Sequence, residues 1–170
     1  MDTADILIDA YGRIRELVHS STDGLDADAL AYRIEPDANS IAWLAWHLTR
    51  VQDDHVSEIA GREQAWVDDG WAARFGMDPD PHNTGYGHTS EQVGSVRPEG
   101  PDALTGYHDA VWERTVEYLG AVTAGELSRI IDRSWDPPVS VGVRLVSVLS
   151  DNLQHAGQAR YVRGIFERIG

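Results

Sequence analysis

Val148-Leu-Ser-Asp-Asn-Leu-Gln-His-Ala-Gly-Gln158 has Leu149, Leu153 and Ala156 at three- and four-residue spacing. That is the period of a helix with one apolar side. The pattern extends back through Val143, Leu145 and Val146 and forward to Val162 and Ile165. A long helix opening at Ser140 is therefore expected to close the chain. Asp151 and His155 stand one turn apart on it, so a carboxylate and an imidazole share a face. Upstream, Ser40-Ile-Ala-Trp-Leu-Ala-Trp-His47 places a second histidine on another apolar-periodic segment. If the two helices lie side by side, His47, Asp151 and His155 close on one point.

The rest of the chain supplies partners for these helices. Ile6, Leu7, Ala10, Ile14, Leu17 and Val18 predict a first helix over 3–19, stopped by Ser20-Ser-Thr-Asp-Gly24. Asn39 or Ser40 caps the second helix, which runs to about Ile59 and ends at Gly61. Leu104, Tyr107, Val111, Val116 and Leu119 predict a third over 102–121. Thr123-Ala-Gly-Glu126 reads as a capping box opening a short helix through Ile131. Asp136-Pro-Pro138 then forces an extended connection. No segment alternates like a strand. The expectation is all-α: a four-helix bundle in a single domain over residues 1–170, with a long loop after the second helix. That loop, residues 61–100, contains Asp78-Pro-Asp-Pro-His-Asn-Thr-Gly-Tyr-Gly-His88, and loops of this length serve as lids or binding loops.

Composition removes whole classes of chemistry. The absence of cysteine excludes disulfides and thiolate ligands, so any metal must take histidine, carboxylate and water. All 14 basic residues are arginine, which excludes a Schiff-base lysine or a P-loop lysine. A net charge of −14 opposes a sequence-independent grip on nucleic acid. No apolar run approaches a membrane span, and Met1-Asp-Thr-Ala-Asp5 lacks the features of a signal peptide, so a cytoplasmic protein is expected.

The pair Asp151-x-x-x-His155 leaves two readings open, a metal site or a buried Asp–His hydrogen bond. A carboxylate on an apolar helix side is rare unless paired or metal-bound. Two imidazoles and one carboxylate suit zinc, nickel or iron, with positions left for water or substrate. Trp43, Trp46, Asp54, Tyr107 and Gln158 are the candidate substrate-binding residues around it, Asp54 lying two turns below His47 and Gln158 one turn past His155. Tryptophans in such positions are more often core packing. His55 is rotated away from this face, while His82, Tyr86 and His88 on the long loop read either as pocket residues or, as is commoner for loop histidines, as solvent-exposed ones.

Ser40-Ile-Ala-Trp-Leu-Ala-Trp-His47-Leu, Ser134-Trp-Asp-Pro-Pro138 and His155-Ala-Gly-Gln158, in this order, resemble the DinB/YfiT-like metalloproteins. The resemblance is to the actinobacterial branch related to the N-terminal domain of mycothiol-dependent maleylpyruvate isomerase. It implies a four-helix bundle, often a homodimer, with three ligands on a divalent metal. Many relatives carry a histidine on the second helix and a His-x-x-x-His pair on the last. Here Asp151 replaces the first of that pair, where the isomerase branch carries a glutamate. The implied function is activation of a small thiol such as mycothiol, for transfer to or isomerisation of a small electrophile. A metal-dependent hydrolase, or a non-catalytic binding or stress-response module with a degenerate metal site, are the alternatives.

Overall fold

The computed structural model describes residues 2–169. In chain order the elements are α1 (Thr3–Thr22), α2 (Ala27–Leu30), α3 (Ile41–Ala60), α4 (Ala65–Asp68), α5 (Trp71–Arg74), α6 (Ser90–Ser95), α7 (Pro101–Gly120), α8 (Ala124–Ser128), β1 (Ile130–Asp132), β2 (Val139–Ser140) and α9 (Val141–Ile169). The long helices start where capping chemistry allows. Asp2 and Asp5 form a reciprocal capping box on α1. The Ser40 side chain accepts from the Trp43 amide on α3, and Pro101 opens α7. Gly61 ends α3 in the left-handed region, at φ 66°.

The chain is predominantly helical. α3 packs against α9 and α7, and α1 packs against α7 and α9. α3 is the most enclosed element: every residue from Ile41 to Arg50 is buried. Its outer side is covered by residues 61–100, which bring Trp66 and Trp71 inward. Trp46 meets Trp66 edge-on, and Trp66 leans on Tyr107, with centroids 6.0 and 5.4 Å apart. Burying each such ring contributes roughly 1.5–3 kcal/mol. Arg50 and Asp53, on the side that should face solvent, are buried for the same reason, whereas Gln52 is buried between α7 and α9.

Two boundaries depart from expectation. α1 runs three residues past His19, because the hydroxyls of Ser21 and Thr22 bond back to the carbonyls of Leu17 and Val18. The short helix expected to reach Ile131 ends at Ser128, where Arg129 turns extended. Ile130–Asp132 pairs antiparallel with Val139–Ser140, a two-stranded ribbon that no alternation in the sequence announces.

Candidate metal centre

α3 and α9 lie side by side and bring His47, Asp151 and His155 together, one donor atom from each within 4.8 Å of the others. His47 is buried and stacks on Trp43, one turn earlier, with ring centroids 4.5 Å apart and planes 15° from parallel. It meets the His155 ring edge-on at 4.8 Å.

Hydrogen bonds assign the nitrogens. His47 Nδ1 lies 2.5 Å from the Thr84 carbonyl, an acceptor only, so Nδ1 carries the proton and Nε2 a free lone pair. His155 Nδ1 lies 2.9 Å from Gln158 Oε1, and the same logic leaves its Nε2 bare. That nitrogen faces Asp151 Oδ1 at 3.5 Å. Two lone pairs at this separation call for a cation between them, either a proton or a metal. Asp151 Oδ2 is buried without a hydrogen-bond partner among the described residues. Tetrahedral ligands around zinc stand about 3.4 Å apart, so the Asp151–His155 gap already matches such a centre. The donor set fits a divalent metal, and both histidines have the outer partner that orients metal-bound imidazoles.

The electrostatics follow from this geometry. Burial pushes the His47 pKa down, with the Thr84 carbonyl opposing it. The hydrogen bond with His155 lowers the Asp151 pKa, and the same contact raises that of His155. A proton shared by Asp151 and His155 is the alternative to a metal in that gap.

A cavity of about 430 Å³ opens beside the centre, with His47 and Asp151 on one wall. Asp54, His55, Arg144 and Ser147 supply its polar lining, and Tyr86 stands at its rim, 94% exposed. Burial raises the Asp54 pKa, while Asp54 Oδ1 accepts from Gln64 Nε2 at 2.8 Å. Arg144 donates to His55 Nδ1 at 2.8 Å, which keeps that imidazole neutral; burial, then Arg144, lowers its pKa.

Of the expected pocket residues, Asp54 lines the cavity, Trp43 touches both histidines and Gln158 bonds His155. Trp46 is fully buried, stacked on His88 and packed on Trp66. Tyr107 is also fully buried and not among the cavity's lining; its hydroxyl donates to Asp53 at 2.8 Å. His55, read as turned away, belongs to the cavity wall. His88, for which the sequence leaves a pocket or an exposed position open, accepts from Trp43 Nε1 and donates to Asn83 Oδ1. Arg144 was missed although it lies seven residues before Asp151, two turns back on the same face of α9.

No helix among the described residues is long and apolar enough to cross a membrane. A comparison with curated proteins finds no match. A solved structure, the conserved protein of locus from Enterococcus faecalis, is 28% identical over 96% of either chain, with a TM-score of 0.88. The mycothiol-S-transferase family model matches residues 7–167, which bears out the DinB/YfiT-like resemblance; the chain belongs to the mycothiol-S-transferase family.

Proposed function

We propose that this protein is a divalent-metal-dependent transferase that joins a small thiol of the mycothiol type to a small electrophile. Its fold is read as a DinB-type four-helix bundle in a single domain, with residues 61–100 as the long loop after the second long helix. The observation that carries the reading is the convergence of one donor atom each from His47, Asp151 and His155, the first two of which line an accessible cavity. A divalent cation held there lowers the pKa of a bound thiol or water and so provides a nucleophile near neutral pH. Zinc or nickel suits these donors best, and iron is compatible with them.

The chain's own residues do the rest. Thr84 and Gln158 hold the two imidazoles with Nε2 forward. Asp54 Oδ2, not engaged by Gln64, is the carboxylate placed in the cavity to take the thiol proton. His55, Arg144 and Ser147 offer hydrogen bonds to the non-reacting parts of the substrates, and Tyr86 covers the entrance.

The test begins with untagged protein. Elemental analysis should find close to one equivalent of metal per chain, and His47→Ala should remove it together with thiol-transfer turnover. Electrophiles are then assayed with and without mycothiol. Turnover that needs no thiol would replace the transferase with a hydrolase. Failure to retain or rebind zinc or nickel would leave a non-catalytic module.

A further inference from the structure

We propose that Arg50 is a positioning residue for His47, fixing which ring nitrogen that histidine presents by clamping the loop segment that holds the other. This deepens the reading above, because it matters to function only if His47 is a ligand.

Arg50 is 0% exposed, one turn after His47 on α3, and makes no hydrogen bond to it. A guanidinium so deeply buried must be paired and fully hydrogen-bonded, and as a source of stability it does no better than a well-packed apolar side chain. Its value lies in where its five donors go. Nε donates to the Asn83 carbonyl at 3.0 Å. Nη2 donates to the Pro81 carbonyl at 2.9 Å and to Gln64 Oε1 at 2.8 Å. Nη1 donates to the Tyr107 hydroxyl at 3.0 Å and to Asp53 Oδ2 at 3.4 Å.

Two of those acceptors are main-chain carbonyls of residues 81–83, a segment without helix or strand. The next carbonyl, that of Thr84, takes the His47 Nδ1 proton. The far end of the clamp is anchored as firmly. Asp53 also accepts from the amides of Ala65 and Trp66 and from the Tyr107 hydroxyl. Gln64 reinforces the Pro81 carbonyl with a second donor, at 3.2 Å. Beyond Thr84 there is no slack, since a Cβ on Gly85 would lie 2.9 Å from His47 Nδ1. A shift of the 81–84 backbone is therefore passed on to the ring. An imidazole released from its carbonyl carries its proton on either nitrogen, and with the proton on Nε2 it cannot ligate through that nitrogen, the one turned toward Asp151 and His155.

The experiment is a long-range ¹H–¹⁵N spectrum of His47 in metal-free protein, paired with zinc affinity measured by chelator competition. Arg50→Lys keeps a positive charge but cannot span five acceptors. The expected result is a folded protein whose His47 changes from the Nδ1–H pattern to a mixture of tautomers. Zinc affinity should fall about 10- to 100-fold. Gln64→Met weakens the same clamp more gently and should shift both readouts in the same direction; it decides the matter if Arg50→Lys does not fold. A wild-type His47 spectrum in a folded Arg50→Lys protein would overturn the proposal. So would an equal tautomer change in Leu119→Ala, a core truncation in the last turn of α7. Because the spectrum is recorded without metal, it reports on the clamp even if the wild type binds no zinc, an outcome that would count against the metal reading alone.

Discussion

His108 is a histidine whose protonation the fold forbids. It is fully buried on α7, and its Nδ1 lies 2.9 Å from Thr49 Oγ1. Thr49 spends its proton on the Ala45 carbonyl, so its oxygen accepts and His108 Nδ1 donates. Nε2 is left bare, buried and without a partner among the described residues. Burial accordingly pushes the pKa down to about 3. The unfolded chain, with an ordinary histidine pKa of about 6.5, binds this proton first as the pH falls. Stability from neutral His108 is therefore complete above about pH 6.5 and is lost as the pH drops toward 3, at up to about 1.4 kcal/mol per pH unit. His108→Leu should flatten that slope, shrinking the difference in unfolding free energy between pH 7 and pH 5 by about 2 kcal/mol. Denaturant titrations of both proteins at the two pH values measure it; parallel losses would show that His108 is not the sensor. At this scale the sequence was legible where chemistry is local. His47, Asp151 and His155 could be read because helical spacing alone places each on a face. Tyr86 could be named as a possible pocket residue from the loop chemistry around it, but Thr84 and Arg50 could not, since their roles depend on residues 75–89 returning over α3, and no periodicity encodes that return.

Among the elements, the connection between α5 and α6 behaves as part of the core despite its loop chemistry. Gly85 has φ 92°, and a Cβ there would lie 2.8 Å from Trp46, 2.9 Å from His47 and 3.2 Å from Trp43. Gly87 has a similar φ of 75° but nothing within 4 Å of a Cβ. The two glycines thus separate backbone strain from close approach. Gly87→Ala should cost only the left-handed penalty, roughly 1–2 kcal/mol, and leave metal affinity unchanged. Gly85→Ala adds overpacking, roughly 1–3 kcal/mol more, and should also weaken zinc binding by displacing His47. Thermal denaturation and chelator competition on both variants check this; equal zinc affinities would mean that the loop does not press on the ligand. The long helices were legible for the opposite reason: each carries its own period and caps, so their bounds fall within a few residues of expectation. The ribbon of Ile130–Asp132 and Val139–Ser140 was not, because strands of three and two residues are too short to alternate.

For the molecule as a whole, α9 differs from the other long helices in being apolar on two sides. One side packs on α1 and α3, with Leu145, Val148, Asn152, Ala156 and Ala159 buried. Asn152 donates to Gln52 Oε1, and Gln52 donates to Thr115, so one buried polar chain ties α9, α3 and α7 together and fixes how α9 is rotated. That rotation presents Asp151 and His155 to His47 and leaves Val143, Val146, Leu153 and Tyr161 exposed on another face. Between the first and last of these the helix rises about 27 Å, long enough for an interface of ordinary size. If the chain forms the homodimer that the family resemblance implies, this exposed apolar face is the surface expected to form it, with a two-fold axis laying one α9 against its copy. Unpaired charges buried in such an interface are strongly disfavoured, whereas on a free surface they are tolerated. Val146→Glu combined with Leu153→Glu should therefore convert a dimer of about 38 kDa into the 18.8 kDa monomer. The helical circular dichroism signal should not change, since neither side chain belongs to the buried side. Sedimentation equilibrium of wild type and variant decides the question. A monomeric wild type would remove the dimer from this face, and a variant that stays dimeric would move it to another.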